Sequence, residues 1–329
     1  MSRLKLSVKE LTTELVRGNT VALAHAITLC ESQKATDKKQ ADDLVLKILP
    51  YTGNSLRIGI TGAPGVGKST FIEAFGKYLT SSGKKIAVLA IDPSSEKTKG
   101  SILGDKTRME ELAKDVSAFI RPTAARHSLG GVANKTREAI LLCEAAGYEI
   151  ILVETVGVGQ SETAVRNMVD FFLLLQLAGA GDELQGIKKG IMEMADGIVI
   201  TKADGDNEKR TKQAQTEYQH ALHLFQLPES GWRPKVLVTS AIEKKGIGEV
   251  WKMIESFHSF ALKNKFFQKN RERQNLEWFY ESVDQLFKNK ILQSKTALSK
   301  IKSFEKRIMN GKITPSKAAE EIVQSLLIK

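Results

Sequence analysis

The chain has 329 residues, 42% of them apolar and 26% charged, which suits one large domain with appendages, or two domains, around a sizeable core. Its two cysteines, Cys30 and Cys143, form no C-x-x-C pair, a usage that fits a reducing compartment and excludes a disulfide framework or a cysteine zinc site. Of the net charge of +11, most lies beyond residue 260, where fifteen Lys and Arg face seven Asp and Glu; interleaved with apolar residues and without a nucleic-acid motif, they read as a solvated helix face or one that meets an acidic protein.

Residues 4–33 carry Leu11, Leu15, Val21, Ala24, Ile27 and Leu29 at largely helical intervals, which predicts two short helices broken at Gly18-Asn19. A polar linker is expected at Lys34, Asp37, Lys38 and Lys39, then a helix through residues 44–49 up to Pro50. The start has no long apolar run, Glu10 and Glu14 sit badly in a transit peptide, and no stretch approaches the roughly 20 apolar residues of a membrane span. The expectation is a cytoplasmic protein.

Next comes the most informative stretch. Residues 56–61 read as a buried strand, and Gly62-Ala63-Pro64-Gly65-Val66-Gly67-Lys68-Ser69 follows in the spacing G-x-x-x-x-G-K-S. From Thr70 to Leu79 the apolar positions have helical spacing, so the motif has its strand–loop–helix setting. Glycines let backbone N–H groups turn around phosphates, and the new helix points its positive end at them. Lys68 is expected on the outer phosphates and the Ser69 hydroxyl on Mg²⁺. The stretch from Gly62 to Thr70 therefore predicts nucleoside triphosphate binding.

Continuous apolar runs then alternate with helical patterns, the signature of an α/β, doubly wound, mostly parallel sheet. Strands are expected at 57–61, 85–91, 118–121, 150–154, 171–176, 197–201 and 235–239, and helices notably at 132–146, 187–195, 208–225 and from Gly246 to about Leu262. Three acids fall at strand ends or in the loops after them: Asp92, Asp105 and Glu154. Mg²⁺ takes hard oxygens in an octahedron, so all three are candidate metal contacts through water. Glu154 ends its strand as a Walker-B acid would. Asp92 and Asp105 are also candidates for orienting the attacking water, and Asp105 reads equally as a helix N-cap.

Gly157 would offer its N–H to the γ-phosphate, so that loss of the phosphate frees the loop after it. Gln160 in that loop is a candidate water-orienting group or a structural hydrogen bonder. The stretch 177–190 is too glycine-rich for a packed segment yet carries Asp182, Glu183, Lys188 and Lys189, and reads as a partner-sensing loop whose lysines approach the phosphates.

After the strand 197–200, Thr201-Lys202-Ala203-Asp204 occupies the place of the guanine-reading N-K-x-D element. Asp204 can accept from N1–H and the exocyclic amine of guanine, a pair adenine lacks, while the Lys202 stem lies along the base. Thr201 stands where Asn is usual, which is expected to remove an amide that braces the loop. Ser240-Ala241-Ile242 resembles the S-A-x element whose backbone N–H meets guanine O6. His220 and His223, spaced i, i+3, have no ligand cluster beside them and read as surface or core residues. Lysine-rich amphipathic helices are expected at 274–309 and 315–328, separated by Gly311 as a stop, Thr314 as N-cap and Pro315 in the first turn.

The runs Thr61–Ser69, Asp92-Pro93-Ser94-Ser95, Gly100–Met109, Arg121-Pro122, Leu129-Gly130-Gly131-Val132, Glu154–Glu162 and above all Gly179–Gly190 resemble the MeaB/ArgK family of P-loop GTPases, bacterial counterparts of the methylmalonic aciduria type A protein. The likeness extends to Ala24–Leu29 and to Arg273-Gln274 with Trp278. It implies a P-loop GTPase fold of the SIMIBI class, with an N-terminal helical segment (1–50), a GTPase domain (51–262) and a helical C-terminal dimerisation arm (263–329). It also implies GTP/GDP and Mg²⁺ as ligands and a homodimer built through the C-terminal helices; the residues themselves give no expectation of a nucleic-acid or membrane partner. The client would be an adenosylcobalamin-dependent mutase of the methylmalonyl-CoA type, whose cobalamin loading the GTPase gates and which it protects. By that likeness Lys68, Ser69, Asp92, Asp105 and Glu154 serve phosphate and metal, Lys202 and Asp204 serve the base, and 176–190 is a third switch. The rival readings are a nickel-insertion GTPase, which usually carries a His-rich tract or paired Cys, a transport-associated ATPase or kinase, which Asp204 opposes, and a binding module without hydrolysis.

Overall fold

Apolar runs just long enough for a strand, and apolar on both faces, set the centre of the molecule. In the computed structural model, which describes residues 6–32, 34–92, 109–124, 129–155, 161–179 and 189–327, they form a seven-stranded sheet. The strands are β1 (Leu56–Gly62), β2 (Ile86–Asp92), β3 (Ala118–Ala124), β4 (Ile150–Thr155), β5 (Phe171–Leu177), β6 (Gly197–Thr201) and β7 (Lys235–Val238). Their order is β3-β2-β4-β1-β5-β6-β7, and every pair is parallel. β1 lies between β4 and β5, so the chain reverses its direction of winding beside it. Ligands of open α/β sheets bind in the crevice that such a reversal leaves at the carboxyl edge.

Side chains alternate between the two faces of each strand. Ile58, Ile60, Leu152, Phe171, Leu173 and Leu175 face one core with Phe71, Phe75 and Phe257. Ile151, Val153, Phe172, Leu174, Ile198 and Ile200 face the other. Burying each of these large side chains contributes about 1.5–3 kcal/mol, and β4, β5 and β6 are thereby tied to both layers.

Helices α1 (Val8–Val16), α2 (Thr20–Glu31) and α3 (Ala35–Ile48) open the chain. Ser7 and Glu10 close α1 in a reciprocal capping box, and Asn19 caps α2 by accepting from Val21 and Ala22 N–H. Their apolar faces join Ala139, Ile140 and Cys143 of the helix 129–145 in one cluster. The linker expected at 34–39 is instead the first turns of α3. Ala41, Leu44 and Ile48 supply a buried face at helical spacing, and the lysines and acids of 37–43 point outward.

Between and after the strands run α4 (Lys68–Ser81), α5 (Glu110–Ala113), α6 (Leu129–Ala145), α7 (Ser161–Arg166), α8 (Lys189–Met194), α9 (Glu208–His223), α10 (Ile247–Lys263) and α11 (Phe266–Gln293). β3 runs three residues further than the apolar pattern suggests, through Pro122. It is an edge strand, where a residue without an N–H is tolerated.

Residues 1–274 and 275–329 form two compact units. In the second, α12 (Lys295–Met309) and α13 (Pro315–Leu327) pack side by side, with Arg307 on Glu321 at 3.2 Å and Lys300 donating to the Ser325 carbonyl. The single helix expected over 274–309 is broken at Ser294, whose hydroxyl accepts from Ala297 N–H and starts α12. Thr314 and Pro315 open α13 as expected, with Lys317 N–H on the Thr314 hydroxyl.

Candidate functional site: a phosphate loop and a second polar cluster

β1 delivers the chain to the carboxyl edge at Gly62, where any side chain would be driven into the Leu175 carbonyl, 2.6 Å from an added Cβ. Gly67, with φ of +93°, is the left-handed residue that turns the loop into α4, and no side chain caps the helix there. The first-turn N–H groups are thereby left for an anion, in line with the helix dipole. Lys68 opens α4 and bends back over the loop, its Nζ donating to the carbonyls of Gly62 (2.7 Å) and Ala63 (3.2 Å). A four-carbon stem lets that ammonium exchange carbonyl oxygens for phosphate oxygens without moving the backbone.

Ser69, one residue on, donates its hydroxyl to Glu154 Oε1 at 3.4 Å. Glu154 is 9% exposed and lies at the end of β4, beside Ile60 of β1 and Ala90 of β2. Two hard oxygen donors from different elements therefore meet beside the phosphate loop, a pairing that fits Mg²⁺. Behind them Thr155 donates to Thr61 Oγ1 at 2.8 Å, which fixes the ends of β4 and β1 together. Asp92 closes β2 opposite Ala124, one position beyond the Ile91–Thr155 pair. Asp105, Gly157, Gln160 and Lys188 lie outside the described residues.

A second pole forms at the ends of β6 and β7. Lys202 takes a left-handed backbone conformation with φ of +59°, rare for a residue with a side chain and of the kind that gathers at functional sites. Its stem passes the phosphate loop, with Cε 3.9 Å from where a Cβ on Gly67 would stand. Asp204 Oδ2 accepts from the Ser240 hydroxyl at 2.7 Å, and Ser240 in turn accepts from Glu243 N–H. Ala203 N–H bonds the Thr239 carbonyl, and Asn207 holds the Lys202 carbonyl. The two elements expected from the sequence to read guanine are thus joined directly. Ser240 is fully buried, Ala241 half-buried and Ile242 76% exposed.

The expected loss of a brace at Thr201 is not what the structure has. Its hydroxyl donates to the Val66 carbonyl at 2.7 Å and lies 3.2 Å from the Gln176 carbonyl. Thr201 thereby ties the end of β6 to the phosphate loop.

Comparison with known proteins decides the lineage of this arrangement. The model of the family described as methylmalonyl-CoA mutase-associated GTPase MeaB matches residues 23–296. The chain belongs to this family. Among MeaB-family relatives it is 51% identical to the GTPase ArgK of Escherichia coli over 82% of each chain. It is 46% identical to a probable GTPase of Mycobacterium tuberculosis over 97% of this chain and 95% of that one. A mouse mitochondrial homolog of the methylmalonic aciduria type A protein is 43% identical over 97% of this chain and 79% of its own length. A solved structure described as a LAO/AO transport system kinase is 38% identical, covers 98% of both chains and superposes with a TM-score of 0.79.

The MeaB-family site brings together Lys68, Ser69 and Glu154 at one pole and Lys202, Asp204 and Ser240 at the other, all of them singled out in the sequence. Thr61, Thr155 and Gln176 enter the sequence reading only as members or ends of longer runs, with no role of their own. Each acts through a hydroxyl or carbonyl on a different strand, and only register reveals the pairing. His223 packs its Nδ1 against Arg233 at 3.0 Å, and among the described residues no three His, Cys, Asp or Glu gather as a metal cluster.

Proposed function

We propose that the protein is a GTP- and Mg²⁺-dependent chaperone of an adenosylcobalamin-dependent acyl-CoA mutase of the methylmalonyl-CoA type. In the cytoplasm it gates cobalamin loading and protects its client. The observation that carries this reading is the family match over residues 23–296, whose description names the mutase.

In this reading the N-terminus of α4 and the loop 62–67 cradle the β- and γ-phosphates, and Lys68 leaves its two carbonyls to neutralise their charge. Ser69 and Glu154 would hold Mg²⁺, which when bound would supply positive charge to the phosphate oxygens. Asp204, oriented by Ser240, selects guanine by accepting two hydrogen bonds, and Lys202 covers the base. The sequence alone assigns Gly157 to the γ-phosphate, Asp92 and Asp105 to the metal or the attacking water, Gln160 to that water and Lys188 to the phosphates. No arginine finger is identifiable in the switch sequences, so intrinsic turnover is slow and the client tunes it.

The working form is a homodimer built through the C-terminal helices. Supporting this, Leu276, Phe279, Tyr280, Val283, Leu286 and Phe287 of α11 recur at helical spacing and are each 44–64% exposed, a stripe that a second copy would cover.

Affinity capture from a lysate of the source cells, with the protein loaded with GTP or GDP, tests the proposal. Recovery of a cobalamin-dependent mutase that changes with the nucleotide supports it. Recovery of nickel-enzyme maturation factors, or of no mutase with either nucleotide, overturns it.

A further inference from the structure

Thr201 stands at a junction of three segments. It ends β6, its hydroxyl reaches 135 residues back to the phosphate loop at Val66, and it also faces the carbonyl of Gln176 near the end of β5. It is 5% exposed and Val66 is 1% exposed, so neither group has water as an alternative. A hydroxyl has one proton. The 2.7 Å contact to Val66 is an ordinary O–H···O distance, whereas 3.2 Å to Gln176 lies beyond the usual range. The proton therefore rests with the phosphate loop.

Val66 is the residue whose carbonyl direction decides where the following N–H groups point. It lies between Gly65 (φ +81°) and Gly67 (φ +93°), two flexible positions that do little to hold the peptide plane on their own. We infer that Thr201 is a positioning residue for nucleotide binding: its single hydroxyl proton locks the Val66 peptide so that the loop's N–H groups converge on the phosphates. Thr201 acts through the Val66 carbonyl. Its effect appears in the affinity for phosphorylated nucleotides and leaves the choice of base to Asp204. The inference rests on the phosphate-loop assignment made above.

The experiment is GDP and GTP binding by calorimetry, at a temperature well below melting, on the full chain and on three variants. T201V keeps the shape and removes the donor; it is expected to bind GDP and GTP about tenfold more weakly, with the preference for GDP over IDP unchanged. T201S restores the donor and the affinity. T201N offers two N–H groups, enough for both Val66 and Gln176, and is expected to release GDP more slowly than the natural chain. Wild-type affinity in T201V overturns the inference, as does an equal loss in T201S. If T201V does not fold, T201N decides: GDP release unchanged or faster overturns it. Failure of the natural chain to bind GDP at all would instead strike the nucleotide assignment itself.

Discussion

Along its amino edge the sheet is closed by paired charges; along its carboxyl edge, polar groups converge on the phosphate loop. At the amino edge Arg271 donates to both carboxylate oxygens of Asp170, at 2.8 and 2.7 Å, and to the carbonyls of Gly53 and Ser55. Asp170 also accepts from Arg57 N–H, and Arg57 Nε pairs with Glu144 at 2.8 Å. Arg166 grips Asp196, and burial pushes that carboxyl above its ordinary value against the pull of the guanidinium. At the carboxyl edge, Lys68 holds two loop carbonyls and Ser69 a long contact to Glu154, bonds that a triphosphate and a metal ion can replace. The same strands thus carry rigidity at one end and exchangeable partners at the other. A binding site can afford loosely held groups when the opposite end of each strand is fixed.

Breaking the amino edge should cost folding rather than chemistry. Asp170→Ala removes the hydrogen-bonded carboxylate of Arg271, 12% exposed, leaving it Glu144 at 3.9 Å, and should lower unfolding free energy by about 3 kcal/mol in denaturant titrations. Nucleotide affinity of the fraction still folded should be unchanged; a loss of affinity without a loss of stability would erase the division of labour between the edges.

The converse holds at the carboxyl edge. Asp204→Asn should move preference from GTP towards XTP by about tenfold or more in a competition assay, while the melting temperature stays within a few degrees. Unchanged discrimination would remove Asp204 from the base site.

A smaller effect sharpens the comparison under acid. Asp115 accepts from Lys77, from Ser117 N–H and from Thr80, and these partners hold its carboxyl at about 2. Its contribution is present above the ordinary value of 3.8 and is lost as pH falls through about 2. Lys77 is 38% exposed, so solvent screening keeps the effect under about 1 kcal/mol. Asp115→Asn should flatten the acid limb of a stability–pH curve; an equally steep limb would place acid sensitivity elsewhere.

The carboxyl edge was largely legible in the sequence because its residues are local. Gly62 to Ser69 is one contiguous string, and Asp204 follows its strand by three residues. The strands announced themselves as apolar runs, although Pro122 hid the last turn of β3's pattern. The amino edge was opaque for the opposite reason. Arg271 meets Asp170 across 101 residues, and no spacing rule connects them. α3 was misread at its start because charged residues on an exposed face look like a linker until Ala41, Leu44 and Ile48 are seen to share the other face. Thr201 shows the limit from the other side: its identity was visible as a departure from Asn, but not that its hydroxyl would reach Val66.

Pro122 has a consequence of its own. It interrupts the outermost strand with a residue that offers no donor, so a stray strand from another molecule would find a gap in the ladder it tried to extend. β3 is therefore a poor template for edge-to-edge growth, which favours solubility when the chain is crowded or newly made.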